Sequence, residues 1–118
     1  MKITGPGKLI RIFISESDQW HHEPLYTAIV RRAHDEGLAG ATVIRGIESF
    51  GAHSRIHTMR ILRLSEDLPV IVEIVDGEER INAFLPMLDE MVDEGLVTIE
   101  DVQILKYLHR FEEEPEQD

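Results

Sequence analysis

Two groups of residues in this chain have the types and spacing to do chemistry. The first is a basic stretch, Arg45, Arg55, Arg60 and Arg63 with His53 and His57, set against the single acid Glu48. In a chain of formal charge −11 it is the one local excess of positive charge, and so the place where an anionic ligand would be held. Thr42 stands just before it. A threonine hydroxyl can hydrogen-bond a base edge, and an arginine can meet a phosphate or a partner's carboxylate. The same residues also read more simply, Thr42 as a β-former and Arg45 as half of an inter-subunit ion pair. The second group is His21-His22-Glu23, which with His53 or His57 could ligate a metal. No second motif at metal-ligand spacing accompanies it. Neither a phosphate-binding P-loop, nor a dinucleotide fingerprint, nor a nucleophile elbow is present. The carboxylates Glu78, Glu79, Asp89, Glu90, Asp93 and Glu94 lie on helical faces read as solvated, so no acid–base pair stands out. The expectation is a non-enzymatic protein with no cofactor.

Those residues must be carried by six elements. Lys8 to Ile14 alternates Ile10, Ile12 and Ile14 with Leu9, Arg11 and Phe13, a strand with two largely apolar faces. Pro24 opens a helix whose stripe is Leu25, Ile29 and Ala33, flanked by Tyr26 and Val30, and Gly37 ends it. A second strand is expected over Ala41 to Phe50 and a third over Val70 to Val75. Asp76 reads as an N-cap, with Glu79 completing a capping box. The second helix buries Ile81, Phe84, Leu85, Leu88, Met91 and Val92, contains Pro86, and is closed by Gly95. Val102 to Leu108 reads as the last strand.

The order β-α-β-β-α-β with short right-handed connections predicts an α+β, ferredoxin-like fold, with a four-stranded antiparallel sheet and both helices on one face. The first and third strands would then be central, and Arg11 and Glu73 would pair on the open face. Leu9, Phe13, Ile71 and Val75 on that face form an apolar patch, which predicts self-association. The connection from Gly51 to Leu68 is too long for a hairpin, and part of it could extend the flanking strands as a ribbon.

Composition sets further bounds. The 118 residues make one domain, residues 1–111, followed by an acidic tail, residues 112–118, expected to be disordered. The acidic balance argues against a nucleic-acid partner. With no cysteine there is no disulfide or thiolate chemistry. No apolar run suits a bilayer or a signal peptide, so a cytoplasmic location is expected.

Gly37-Leu-Ala-Gly-Ala-Thr-Val43, followed by Ser49-Phe-Gly51, resembles the glycine-threonine signature of PII-type signalling proteins. The run from Lys8 to Tyr107, with Gly-Ala-Thr-Val-x-Arg-Gly-Ile, Leu68-Pro69 and Glu94-Gly95-Leu96-Val97, is similar to a divergent, uncharacterised branch of that superfamily. The resemblance implies a homotrimer with effector sites between subunits that bind adenine nucleotides. It also implies a loop, here 51–68, that reports occupancy to a target protein. Carried over, Gly40 and Thr42 lie beside the base, Phe50 and Gly51 form the loop root, and His53 takes the place of the family's loop-root glutamine.

Members of this branch are often encoded near small-ion exporters, which makes a membrane transporter one candidate target. The chain departs from the pattern at Ser49, in one extra residue before Phe50, and in having Ile99-Glu100-Asp101-Val102 where the family carries a polyphosphate-binding lysine. It also has no tyrosine in the loop. A small anionic effector such as AMP or ADP therefore fits better than a triphosphate, with Arg45 or Arg55 as phosphate partner. The alternative is a metal-binding trimer of the same fold that uses His21, His22, His53 or His57.

Overall fold

The computed structural model describes residues 2–50, 57–58 and 68–108. Within them the chain forms β1 (Lys2–Ser15), β2 (Gln19–Trp20), β3 (Glu23–Pro24), α1 (Leu25–Asp35), β4 (Thr42–Arg45), β5 (Glu48–Ser49), β6 (His57–Thr58), β7 (Pro69–Gly77), α2 (Glu78–Met91) and β8 (Leu96–Leu108). The main sheet runs β4-β7-β1-β8 with every neighbouring pair antiparallel. This is the ferredoxin-like order, with β1 and β7 central as expected. The three residues 109–111 of the expected domain and the acidic tail lie outside the described residues.

The period-two pattern explains the layers. Ile10, Ile12 and Ile14 of β1 and Val70, Val72 and Ile74 of β7 point to the helical side and are buried. Leu25, Ala28, Ile29 and Ala33 of α1 and Ile81, Phe84, Leu88 and Met91 of α2 close over them, each at helical spacing. Burying side chains of this size gives about 1.5–3 kcal/mol each, so this single layer carries the fold. Among the described residues no helix lies on the other face of the sheet. There Arg11 stands opposite Glu73 in register and bonds it, Nε to Oε2 at 2.9 Å.

Several boundaries differ from the sequence expectation. β1 begins six residues earlier, at Lys2 rather than Lys8, and β8 begins at Leu96 rather than Val102, because the two pair along nearly their whole lengths. β7 stops pairing with β1 at Gly7, so residues 2–6 and their β8 partners form a two-stranded arm beyond the sheet. The expected second strand is divided. Thr42 to Arg45 belongs to the main sheet, and Gly46 then turns away, its N–H donating to the Pro69 carbonyl. Glu48 and Ser49 pair instead with Thr58 and His57, the expected ribbon.

Asp76 does not cap α2: the N-cap is Gly77 with no side-chain cap bond, and Asp76 is buried in another role described below. Nor does Gly95 close that helix, which ends at Met91. Gly95 sits at φ +140, where a Cβ would lie 2.6 Å from the Phe13 carbonyl oxygen. Pro86 stands inside α2, on its exposed side.

Glu23 fastens the β2–β3 hairpin to α1 by bonding Arg31 at 2.7 Å. The bond to Arg31 holds the Glu23 carboxyl below its ordinary value, burial opposes it, and the charges of Arg31 and His21 assist. A depressed carboxylate contributes stability that is complete above the unfolded-state pKa and is lost as pH falls through the folded value. Glu23→Gln should therefore lower the neutral plateau of a stability-against-pH curve slightly, leave its most acidic end unchanged and so flatten the limb between them, as measured by urea denaturation.

Gly7 is a stricter point. A Cβ there would meet Ile104 Cδ1 at 2.5 Å and the Asp76 carbonyl oxygen at 2.8 Å. Backbone cannot retreat as a side-chain tip can, so Gly7→Ala is expected to cost about 1–3 kcal/mol in chemical denaturation.

Candidate functional site

The arm returns over the sheet. Gly5, at φ +97, lies at the register shift between Ile3 and Gly5, and such bulges bend a strand. Tyr107, on the strand at one edge of the sheet, thereby reaches the segment before β4 at the other edge, and its hydroxyl donates to the Ala39 carbonyl at 3.1 Å. Between arm and sheet lies a cleft of about 410 Å³. Its wall is Ala39, Gly40 and Ala41, its floor is Thr42, Glu73 and Val75 on the open face, and its far side is Ile3, Ile104, Lys106 and Tyr107.

Asp76 fixes the wall. Its side chain, 1 % exposed, accepts the Ala39 N–H at 2.8 Å with Oδ2 and the Gly77 N–H at 2.6 Å with Oδ1. The Arg80 guanidinium lies 3.7 Å from Oδ2 and also donates to the Gly37 carbonyl. Ala39 is thus held at its N–H by the end of β7 and at its C=O by the arm. Gly37, at φ +82, lets α1 end and the segment turn into this grip. Next to it, a Cβ at Gly40 would meet no atom within 4 Å. The cleft therefore offers fixed backbone on one side, a hydroxyl and a carboxylate below, and an ammonium across.

Of the residues singled out from sequence, Gly40 and Thr42 are brought together here. Arg45 is at the opposite end of β4, where its guanidinium pairs with Glu16, and it does not line the cleft. Phe50 is 71 % exposed. Gly51, His53 and Arg55 lie outside the described residues. His21 and His22 form the tip of the β2–β3 hairpin, both with positive φ (48° and 70°), as a two-residue turn of this kind requires. Trp20 stacks on His21, with ring centroids 4.3 Å apart. Among the described residues no group of three His, Cys, Asp or Glu side chains is arranged to hold a metal.

Sequence reasoning missed Lys106, Tyr107 and the role of Asp76. The partners of Tyr107 and Asp76 are distant in the chain, and Lys106 is brought to the cleft only by the bend of the arm.

Comparison with known proteins agrees with this architecture. The profile of the DUF190 family, described as uncharacterised ACR, matches residues 7–104. This chain belongs to the DUF190 family. A UPF0166 protein of Aquifex aeolicus is 41 % identical over 98 residues, covering 83 % of this chain and 92 % of the relative. A UPF0166 protein of Methanocaldococcus jannaschii is 40 % identical over 101 residues, covering 85 % and 93 %.

Among solved structures, the nitrogen regulatory PII-like protein CPII of Thiomonas intermedia K12, bound to ADP, AMP and bicarbonate, superposes with a TM-score of 0.56 at 18 % identity. That match covers 88 % of this chain and 91 % of CPII. CutA of Synechococcus elongatus PCC7942 gives 0.59 at 10 % identity, covering 96 % and 90 %. At these identities the likeness is one of fold: this DUF190 chain shares the fold of CPII and CutA.

The double grip on Ala39 is testable. Asp76→Ala leaves the Ala39 N–H without its acceptor and should cost about 1–3 kcal/mol, whereas Tyr107→Phe should cost about 0.5–1.5 kcal/mol. Because both act on Ala39, the double variant should depart from additivity, which a double-mutant cycle in urea would measure.

Proposed function

We propose that this DUF190 protein is a non-enzymatic regulatory protein that binds a small anionic effector, an adenine nucleotide such as AMP or ADP, in the cleft over Thr42. The observation that carries this reading is that Gly40 and Thr42, the residues whose motif resembles the base-binding segment of PII proteins, line a formed cleft with a rigid backbone wall. CPII, which shares the fold, was solved with ADP, AMP and bicarbonate bound. Thr42 supplies a hydroxyl that both donates and accepts, which suits a base edge.

The protein acts as a homotrimer in this reading. The open sheet face, with Val75 at 40 % and Leu96 at 56 % exposed, supplies apolar surface for association. The cleft lies at the margin of that face, where a neighbouring subunit would complete it. Occupancy is relayed by the segment 51–68, which follows β5 in the chain. The target is another protein, with a membrane transporter as one candidate. A coupling of about 1–3 kcal/mol between effector and target suffices for such a relay.

Gly40 gives the sharpest test. An added side chain there has open space, so Gly40→Leu should fold with unchanged denaturation midpoint yet fill the cleft. Isothermal titration should find AMP or ADP binding in the wild type and at least about a tenfold loss in Gly40→Leu, equivalent to about 1.4 kcal/mol. Equal affinity in the two proteins would remove the cleft from consideration. Light scattering should give a particle of three times the 13.5 kDa chain mass, and a monomer would end the inter-subunit part of the proposal.

A further inference from the structure

The chain has 23 acidic side chains and 12 lysines and arginines, so a cation left without an acid is unusual in it. Most of the described cations are committed. Lys8 bonds Asp101, Arg11 bonds Glu73 and Glu100, Arg31 bonds Glu23, Arg32 bonds Glu36, Arg45 bonds Glu16, and Arg80 lies against Asp76. Among the described residues, Lys2 and Lys106 alone make no ion pair, and of these Lys106 lines the cleft. Lys106 is also adjacent in sequence to Tyr107, whose bond to Ala39 fixes that stretch of the arm over the sheet.

The opposite side of the cleft is chemically different. Glu73 Oε2 takes the Arg11 bond at 2.9 Å, and among the described residues Oε1 has no bond. Thr42 stands opposite Glu73 in register. The cleft thus has a floor of hydrogen-bond acceptors and one hydroxyl, faced by a single ammonium. This bipolar lining suits a ligand with a neutral, amine-bearing or hydroxyl-bearing head and a single anionic group at the other end.

We infer that Lys106, and not Arg45, is the anchor for the anionic group of the effector, and that the cleft is matched to a ligand carrying one phosphate rather than a chain of them. Every additional phosphate brings negative charge that a lone lysine cannot balance, within the field of Glu73 and of a strongly acidic chain. The inference rests on the effector-binding reading above and gives it a polarity: head on Thr42 and Glu73, anion on Lys106.

The test is a titration of full-length wild type, Lys106→Ala and Lys106→Arg with adenosine, AMP, ADP, ATP and inorganic phosphate. It is followed by amide NMR shifts and isothermal titration. Lys106 is exposed, so neither variant threatens the core. Expected are tighter binding of AMP than of ATP, a loss of AMP affinity of at least about tenfold in Lys106→Ala, and recovery in Lys106→Arg. Adenosine affinity should be the same in all three proteins.

AMP affinity unchanged in Lys106→Ala, or ATP bound more tightly than AMP, would overturn the anchor and leave the adenine reading standing. Shifts with inorganic phosphate that vanish in Lys106→Ala, with no response to adenosine or any nucleotide, would keep the anchor and overturn the adenine reading. No shift in the cleft with any of the five compounds would overturn both.

Discussion

The buried carboxylate of Asp76 is the constraint on which the rest of the site depends. A carboxylate removed from water is costly unless hydrogen bonds replace its hydration. Asp76 finds them in the Ala39 N–H and the Gly77 N–H, with the Arg80 guanidinium close by. These come from the segment that follows α1 and from the start of α2. For the carboxylate to be satisfied, the turn after α1 must pass over the end of β7, and α2 must leave β7 at the angle that brings Arg80 back. Both helix–strand junctions at this end of the sheet are thus set by one side chain.

The same turn is held from its other side by the arm. A bulge at Gly5 lets β1 and β8 continue past the sheet and bend, and Gly7 admits Ile104 against the backbone at the base of the arm. Tyr107 then closes on the Ala39 carbonyl. With the N–H and the C=O of Ala39 both bonded, the peptides on either side of it are restrained, and Gly40 and Ala41 continue from it as the wall of the cleft. Preorganisation of this kind lowers the ordering cost of binding. It also explains why the cleft is built on the open face, away from the helices, whose apolar stripes are used up in the core.

Much of this was legible in the sequence, and the illegible part has one cause. The alternation in Leu9 to Ile14 and Val70 to Val75 gave both central strands, and their order alone placed Arg11 against Glu73. The helical stripes of Leu25, Ile29 and Ala33 and of Ile81, Phe84 and Leu88 were equally direct. The arm was not legible, because the strands were expected to begin only at Lys8 and Val102, and the bulge at Gly5 belongs to a pairing with a strand at the far end of the chain. Asp76 resembled an N-cap because Asp before a helix usually is one, and its true donor, Ala39, is 37 residues away.

Arg45, in the described part of the basic stretch, is a similar case. Arg45 counted as surplus charge locally, yet its carboxylate, Glu16, lies 29 residues earlier. Conversely Lys106 drew no notice beside apolar neighbours, although it lines the cleft and makes no ion pair among the described residues. Local counts of charge describe which groups are present, and only the fold decides which of them are spent.

Glu73 joins two features of the open face, the ion pair at its middle and the cleft at its margin. One of its oxygens belongs to the ion pair with Arg11, which also reaches Glu100 at 2.6 Å and so ties β7, β1 and β8 across the middle of the sheet. The hydrogen bond to Glu73 raises Arg11 above its ordinary value, burial opposes this, and the charge of Glu100 adds to it. Glu73 also lines the cleft. In the single chain this ion pair is partly solvated and worth little. Covering the open face with other subunits removes that solvent, and the pair then has to be complete, since an unpaired charge left behind is strongly unfavourable. A ligand head that draws on Glu73 therefore acts on a group whose other bond lies in the surface that association would bury. The cleft and the open face share an electrostatic unit, and neither can change its occupancy without altering the field felt by the other.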